Sequence, residues 1–474
     1  MNYKKIIQKP RKTVRLNSFF KGVDSINDDM VANLNSAKEC YNFDSSTGAL
    51  TPLTGFAEVF LKPFTGYWLV AQNSGYSMID GRKFYSAVFV DDKGKLMTYD
   101  FDENGNAGDL YEVGDDAFHF TSKPQMIEYK EKGEDAMLFS SPTDGLVTWR
   151  GGAEPPEQIK NAPLITSMAK HSERLFVTVA GRTDKVWFSD VLDPTNWNVS
   201  LQDAGYIGFS DERGECEKVL AFGGYVYVFR AYGISRITAY GDQAEFVVEH
   251  VFSSGSRICP SSVTLCANRV IFASDDGLFS FNGSSVTKIM PLLSPLLKFG
   301  KNTTTAFYKG KFYLATEMLT EGKIGCENGQ YKNNVMIVYD LYTDKYYLYR
   351  GIDVRGIFPL LGVGKVYIVV GNTLKLCEMN YSNVFDGEIL ERKWRSPVSD
   401  FGNSEKKTLK ELSVCTDYDI TVRVYSDDEV IERKVAGKSG RSVVPINLTS
   451  YTFCIEFVSN DYSCRIASPT LIYY

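Results

Sequence analysis

Histidine is scarce in this 474-residue sequence, and its three copies are far apart: His119, His171 and His250. A nucleophilic site of the Ser-His-Asp or Cys-His type needs a histidine that is hydrogen-bonded to two partners. Nothing in the sequence next to these histidines indicates such a site. We therefore predict no catalytic residues of this kind and interpret the histidines as ordinary surface or core residues.

Two segments come close to the Ser-x-Asp-x-Gly-x-Thr-Trp box of sialidases, which are propeller glycosidases. In residues 141–149 the aspartate comes one position late, and residues 274–281 lack the residue between aspartate and glycine. That box is a structural turn and takes no part in catalysis. Glycoside hydrolysis requires a placed pair of carboxylates, and with 58 acidic residues the sequence nominates none. We predict that the chain is not an enzyme, and a propeller glycoside hydrolase is the least favoured alternative.

The segment Asp100–Gly105 begins like a calcium-binding loop, with oxygen-bearing side chains at alternate positions and glycine at the sixth. The twelfth residue is Tyr111, where such loops carry glutamate, and the flanking residues predict strands in place of helices. Aspartate, asparagine and glycine are also the residues that hairpin turns use. We therefore favour a solvated hairpin turn, and we predict no metal and no cofactor.

The nine cysteines are scattered, without any Cys-x-x-Cys pair. The sequence thus predicts reduced, buried thiols in place of a zinc site or a disulfide framework. The N-terminus is basic but no apolar stretch follows it, and no apolar run approaches the length of a membrane span. The net charge of −6 argues against a protein that grips nucleic acid across its whole surface. We expect synthesis and folding in a reducing cytosol.

Among the predicted secondary-structure elements, the clearest pattern lies in residues 268–283. Two runs of β-forming residues, 270–273 and 278–281, flank a polar turn, and a second turn follows at Asn282-Gly283. Asp-Gly and Asn-Gly pairs supply the positive φ angles of tight hairpin turns, so the segment predicts a strand, a turn, a strand and another turn. Divergent copies recur roughly every 40 to 55 residues, which suits one four-stranded propeller blade per copy.

The predicted fold is all-β: an irregular β-propeller of about seven blades, followed by a small C-terminal β-sandwich. The aromatic content of 14% favours strands, and long amphipathic helices are hard to find. The predicted domains are an N-terminal arm with its first strands (1–56), the propeller (57–381) and the sandwich (382–474). The alternative is an all-β sandwich with many hairpins. The blades are expected at residues 84–113, 124–160, 164–210, 217–252, 261–290, 303–350 and 353–380.

Two further segments carry a family resemblance. Residues 35–56 read as a strand that ends at Phe43, a turn at Gly48, a second strand and a bend; residues 188–197 spell Phe-Ser-Asp-Val-Leu-Asp-Pro-Thr-Asn-Trp after a blade strand. In this order, with irregular blades and a final sandwich, they resemble the tail-nozzle and packaged-DNA-stabilisation proteins of tailed bacteriophages. Those proteins are similar in length and carry a propeller. The resemblance extends over most of the chain and rests on the order of the motifs.

The resemblance implies a structural virion protein at the neck or tail, made in the host cytoplasm. It would form part of a ring or tube, sixfold as the resemblance implies, that holds back and then conducts genomic DNA. The implied partners are its own copies, portal, adaptor or other tail proteins, and passing DNA without sequence-specific contact; no membrane is expected. The alternative is a receptor- or glycan-binding tail protein. Basic blade residues could face a central channel or the outside: Arg230, Arg236, Arg257 and Arg269.

Overall fold

Almost every regular element of the chain is a β-strand, as the predicted all-β class requires. The described part also contains three 3-10 helices, at Val199–Leu201, Gln243–Glu245 and Ser294–Leu296. Within that part no helix is long and apolar enough to cross a membrane. The structure is a computed structural model that describes residues 10–16, 18–19, 21–59, 66–76, 83–91, 93–102, 104–113, 118–131, 134–151, 155–201, 204–319, 333–360, 363–371, 375–379, 385, 387, 390–461 and 463–474.

Five short strands precede the propeller blades. Strands β3 and β4 pair with each other, whereas the other three join sheets whose remaining strands come later in the chain. Their bounds are β1 (Lys12–Arg15), β2 (Glu39–Tyr41), β3 (Phe43–Asp44), β4 (Thr51–Pro52) and β5 (Phe56–Glu58).

The next strands form antiparallel sheets that follow one another along the chain, and each sheet is a propeller blade. Blade 1 has β6 (Gly66–Tyr76), β7 (Lys83–Asp91), β8 (Leu96–Phe101) and β9 (Ala107–Glu112). Blade 2 has β10 (Gln125–Glu131), β11 (Glu134–Ser141), β12 (Gly145–Trp149) and β13 (Glu157–Ile159). Blade 3 has β14 (Ile165–His171), β15 (Arg174–Val179), β16 (Lys185–Phe188) and β17 (Gly205–Gly208).

The second half of the propeller continues the same order. Blade 4 has β18 (Cys216–Phe222), β19 (Tyr225–Arg230), β20 (Gly233–Thr238) and β21 (Val247–Ser253). Blade 5 has β22 (Ile258–Cys266), β23 (Arg269–Ser274), β24 (Gly277–Phe281) and β25 (Val286–Ile289). Blade 6 has β26 (Leu297–Lys298), β27 (Thr304–Tyr308), β28 (Lys311–Met318), β29 (Val335–Asp340) and β30 (Lys345–Arg350). Blade 7 has β31 (Val354–Leu360), β32 (Lys365–Val370) and β33 (Lys375–Met379).

The segment predicted as the clearest repeat forms the middle of blade 5. Strands β23 and β24 pair with Ala273 opposite Leu278 and Ser274 opposite Gly277. Gly277 has a φ of +128°, a backbone conformation that only glycine adopts readily. The apolar residues of both strands are buried, except for the partly buried Phe279, so the alternation of turn residues and β-forming runs correctly predicted this hairpin.

The seven blades close into a ring around a central channel. The first full strand of each blade is innermost, because these strands contact one another in a closed cycle that returns from β31 to β6. Apolar side chains fill the space between neighbouring blades; Phe188 of blade 3 and Val219 of blade 4, for example, belong to one buried cluster. Strand β5 supplies the outermost strand of blade 7, since it pairs with β33. The ring is therefore fastened by residues that precede blade 1.

The last strands form a two-sheet sandwich together with two strands from the start of the chain. One sheet has the order β1-β40-β35-β38 and the other β2-β34-β39-β36-β37. The bounds are β34 (Arg392–Arg395), β35 (Lys407–Thr416), β36 (Ile420–Tyr425), β37 (Val430–Val435), β38 (Arg441–Ser450), β39 (Cys454–Ser459) and β40 (Ile466–Tyr473).

Two details differ from the predicted domain plan. Residues 1–56 were predicted as an arm with its own first strands, but β1 and β2 are strands of the sandwich. Blade 1 also begins earlier than residue 84, because β6 is its innermost strand. The first difference arises from pairing between distant segments, which local alternation of residue types cannot reveal. The second concerns a local hairpin, since β6 pairs with β7, the next strand in the chain.

The sandwich and the propeller share one hydrophobic core. Trp394 of the sandwich, Leu348 of blade 6 and Phe19 of the N-terminal segment are each almost completely buried in the same cluster. The rings of Phe19 and Trp394 meet edge to face, with their centroids 4.8 Å apart. This continuity means that the two domains pack as one body.

Candidate functional site

A buried charged group of the propeller is Arg230, at the end of β19. Its side chain is fully buried, and its Nη1 lies 2.6 Å from each carboxylate oxygen of Asp211. The guanidinium also donates to the backbone oxygen of Gly214. Burial opposes the charge of Asp211, but its hydrogen bonds from Arg230 and the backbone of Arg213 outweigh this and lower its pKa to about 2.

His250 completes an arrangement with the residue types of a catalytic triad. Its Nδ1 lies 3.0 Å from the Ser235 Oγ, and its Nε2 lies 3.4 Å from Asp211 Oδ2. No local sequence pattern indicated this convergence, because Asp211 and Ser235 lie in separate elements. The serine is completely buried within β20, so no substrate can reach its hydroxyl. Asp211 is already paired with Arg230. The cluster of Asp211, Ser235 and His250 therefore links the loop before β18 to the outer strands of blade 4.

The other two histidines have ordinary surroundings. His119 Nδ1 lies 2.8 Å from the backbone oxygen of Lys93. His171 lies beside the ring of Tyr240, with centroids 5.2 Å apart, and burial lowers its pKa. The structure does not bring His119, His171 and His250 together in one site, since they belong to the loop before blade 2, to blade 3 and to blade 4.

The two sialidase-like segments form hairpin turns. In the first, the Asp144 carboxylate accepts hydrogen bonds from the hydroxyl groups of Ser141 and Thr121 and from the Thr121 backbone N–H. Burial opposes the charge of Asp144, yet these hydrogen bonds lower its pKa. The carboxylate thus ties the turn of blade 2 to the loop that enters that blade.

The calcium-like segment is also a turn, between β8 and β9. Asp102 accepts hydrogen bonds from the backbone N–H groups of Asn104 and Asn106 and from the Asn106 side chain. Asp100 instead accepts from the Ser86 hydroxyl at 2.6 Å. Across the described residues, no group of three or more histidine, cysteine, aspartate or glutamate side chains could hold a metal ion.

The described cysteines are free thiols, and most are buried. Burial raises the pKa of the Cys216 thiol to about 12, and nearby charges contribute less than burial. Such a thiol is a poor nucleophile because its thiolate is scarce at neutral pH. Cys326 lies outside the described residues.

Three of the four arginines that were expected to face either the channel or the outside are held by acidic partners. Arg236 pairs with Glu249 across the outer hairpin of blade 4. Arg257 pairs with Glu215, at 3.1 Å, and with Glu217. Together with the burial of Arg230, these contacts leave little free positive charge on the predicted residues; Arg269, at the start of β23, is only partly buried.

Two lysines that no sequence motif singled out lie near the starts of innermost strands, which surround the channel. Lys218 is the third residue of the innermost strand β18, and Lys123 stands two residues before the innermost strand β10. Solvent reaches both side chains although protein surrounds them, as expected inside a channel. Burial, with a smaller contribution from the charge of Lys123, lowers the pKa of Lys218 to about 8, and burial also lowers the pKa of Lys123.

A cavity of about 350 Å³ lies where the sandwich meets blade 6. Charged side chains from both domains line it, among them Lys38, Glu39 and Arg350. Their charges are matched locally: Lys38 lies 2.8 Å from Asp29, and Glu39 lies 2.5 Å from Lys393. We interpret this cavity as part of the domain junction.

No protein-family model and no curated protein matches the sequence. Among solved structures, the chain is similar to BBS1N in its crystal structure in complex with ARL6DN, with 10% identity, a TM-score of 0.43, and coverage of 70% of this chain and 99% of that chain. It is also similar to the Pan2 WD40 domain of Neurospora crassa, with 11% identity, a TM-score of 0.38, and coverage of 68% and 92%. These weak likenesses transfer no function to this chain.

Proposed function

We propose that this chain is a non-enzymatic structural protein of a tailed bacteriophage, located at the neck or tail of the virion. Copies of it form part of a ring or tube that holds back and then conducts genomic DNA. The order of its sequence motifs, which resembles that of tail-nozzle and packaged-DNA-stabilisation proteins, gives the proposal its biological setting. The structural observation that carries it is the single core shared by propeller and sandwich.

A ring that resists the pressure of packaged DNA requires stiff building blocks. Here the junction is held by backbone as well as by apolar packing: Asn42 donates from Nδ2 to the backbone oxygens of Arg350 and Glu391 and accepts from the Arg350 N–H. The Asn42 backbone N–H also bonds to Leu348, on the edge strand of blade 6. A joint of this kind favours a rigid block over two domains on a flexible linker.

Exposed apolar side chains are available for contacts between copies. One set lies on blades 3 and 4: Val191, Leu192, Val199, Tyr206, Tyr240 and Val247. A second set lies on the sandwich: Tyr418, Val430, Val443 and Tyr451. Two different surfaces on one protomer allow head-to-tail contacts, and such contacts close into rings when the rotation permits. We assign the first set to one side of the ring contact and the second to the other.

Electron microscopy of the purified protein beside intact particles tests the proposal. We expect rings or a short tube with a central lumen, and matching density at the neck or tail. Lone discs in solution, with density only at fibres or spikes, would overturn it in favour of a receptor- or glycan-binding tail protein. That outcome would direct the next experiment to glycan arrays.

A pair of variants tests the assigned contact. Replacing Leu192 and Val199 by aspartate places charge in an apolar contact and should shift rings to single protomers in light scattering after size-exclusion chromatography. Val31→Asp is the matched control, because Val31 is 76% exposed and lies outside both sets. Rings that survive the double substitution would show that the contact lies elsewhere.

A further inference from the structure

A cleft between blades 6 and 7 is lined by three lysines. It has a volume of about 290 Å³ and lies at the end of the propeller where β27 and β31 end and β28 and β32 begin. Lys309 stands in the short turn between β27 and β28, Lys311 is the first residue of β28, and Lys365 is the first residue of β32. One cavity therefore joins positively charged side chains from two neighbouring blades.

The carboxylate that lines the cleft is already paired. Glu378 is the acidic residue in the described lining, and its Oε2 lies 3.0 Å from Lys365 Nζ. Asp340 lies on β29 between Lys311 on one neighbouring strand and Lys345 on the other. Its Oδ1 accepts hydrogen bonds from two backbone N–H groups of the turn that follows. The charge balance of the cleft therefore stays positive.

The other two lysines of the cleft lie over aromatic rings. Lys309 Nζ is 5.1 Å from the ring centroid of Tyr308, and Lys311 Nζ is 5.8 Å from that of Tyr347. Such contacts hold an ammonium group in place without neutralising its charge. In the described part of the chain neither lysine forms an ion pair. The cleft thus keeps two positive charges for an anion.

The wall beside Lys309 offers a hydrogen-bond donor. The Tyr308 side chain lines the cavity, and its hydroxyl oxygen is buried without a hydrogen-bond partner among the described residues, a condition that is rare in folded proteins. On the opposite blade, a methyl group added at Gly364 would lie 3.3 Å from this hydroxyl and 3.5 Å from Lys309 Nζ. The missing side chain of Gly364 leaves a space that the hydroxyl and the ammonium group share.

We propose that this cleft binds a small dianion of the phosphate class, with Lys309 and Lys311 supplying the charge and Tyr308 donating a hydrogen bond. Two unbalanced ammonium groups match a phosphate monoester, which carries about −1.5 to −2 charges at neutral pH. Ammonium groups act as point charges and suit phosphate, whereas bidentate recognition of a planar carboxylate is the property of arginine. Lys309 is exposed, so its side chain can move off the ring and open the hydroxyl to the ligand.

The ligand is either free phosphate or the phosphate group of a small metabolite. The cavity volume of about 290 Å³ lies near the lower end of the range of roughly 300–1,000 Å³ for small-molecule sites. Lysines cover the rings of Tyr308 and Tyr347, so the cleft offers little surface for stacking a base. The site lies within one protomer and exists whether or not copies assemble into rings.

Isothermal titration calorimetry of the full chain tests the site with inorganic phosphate, glucose 6-phosphate and glucose, at about pH 7.5 and low ionic strength, where screening is weak. We expect one phosphate-bearing ligand per chain, with affinity reduced at least tenfold in both Lys309→Met and Lys311→Met. Lys288→Met is the matched control, because Lys288 is exposed on the outermost strand β25 and should leave the affinity unchanged. Tighter binding of glucose 6-phosphate than of phosphate identifies a phosphorylated metabolite, and the reverse identifies free phosphate.

Tyr308→Phe separates a binding role from a structural one. The substitution keeps the ring and removes a hydroxyl that has no partner among the described residues, so it should not lower the midpoint of thermal unfolding. It should reduce the affinity for the phosphate-bearing ligand by about tenfold. Unchanged affinity together with a lower midpoint would show that the hydroxyl serves the fold and would remove Tyr308 from the site.

Absence of binding of both phosphate and glucose 6-phosphate to the wild-type chain would overturn the inference. Equal binding of glucose would do the same, since it would identify a site for a neutral sugar. Affinity that survives both lysine substitutions, or that falls equally in the Lys288→Met control, would also overturn it. Because Lys309 is an exposed turn residue, its replacement should leave the fold intact.

Discussion

Replacing Lys218 by methionine should stabilise the protein at neutral pH. A folded-state pKa of about 8, against 10.5 for an ordinary lysine, corresponds to about 3 kcal/mol of unfavourable free energy when the ammonium is charged. Because solvent still reaches part of the side chain, screening reduces this value, and we expect a gain of about 1–2 kcal/mol in the free energy of unfolding. Methionine keeps a similar length and removes the charge.

The direction of the pKa shift determines how the stability difference between wild type and variant changes with pH. The folded chain loses the Lys218 proton near pH 8 and the unfolded chain near pH 10.5. Between these values the unfolded chain binds more protons, so the stability of the wild type rises with pH in that window relative to the variant. The advantage of Lys218→Met is therefore complete below pH 8 and fades as the pH approaches 10.5.

Urea denaturation in phosphate-free buffer, followed by tryptophan fluorescence, measures this difference near pH 7 and again near pH 9.5. We expect the advantage of Lys218→Met to fall by about half or more between the two conditions. Lys288→Met, at an exposed lysine of β25, is the control and should stay within about 0.5 kcal/mol of the wild type at both pH values. A destabilised Lys218→Met variant at neutral pH, or an advantage that does not change with pH, would refute the reasoning.

Two further substitutions test the packing around the channel and the domain junction. Arg230→Met removes the partner of Asp211 and should lower the free energy of unfolding in urea by about 3–5 kcal/mol. Arg236→Met breaks a more exposed ion pair and should lower it by less than about 1 kcal/mol. Similar losses in the two variants would contradict the assigned difference in burial. Trp394→Ala should cost about 3–5 kcal/mol and leave one unfolding transition for both domains, because their core is continuous. Two separate transitions in calorimetry would show that the domains unfold independently.

Local patterns were sufficient to predict most of the fold. Turn residues between short β-forming runs correctly predicted the hairpin of β23 and β24, and the same reasoning predicted an all-β propeller of seven blades with a sandwich after it. These elements are encoded by neighbours in sequence, since hairpin partners are only a few residues apart.

Pairing over long distances could not be predicted in this way. Strand β5 has only three residues, too few to show a periodicity, and its partner β33 lies at the other end of the propeller. Strands β1 and β2, with four and three residues, are also short and join the sandwich. Their positions depend on closure of the whole ring, which no local pattern records.

The charged groups of the channel were missed for the same reason. Lys123 and Lys218 stand almost a hundred residues apart, and each alone resembles any solvated lysine. Only the ring brings blades 2 and 4 together across blade 3. The one local indication is their position, since Lys123 lies just before an innermost strand and Lys218 lies near the start of another.

The pairing of early strands with late ones sets an order for biosynthesis. Strand β2 pairs with β34, through Glu39 and Arg395, about 350 residues later in the chain. At typical synthesis rates of about 5–20 residues per second, β2 waits roughly 20 to 70 s on the ribosome before its partner exists. During that time blades can form one by one, but neither the ring nor the sandwich can close. Nascent chains thus expose unpaired strand edges until late in translation. Such edges promote aggregation, so a chaperone would act mainly during this period.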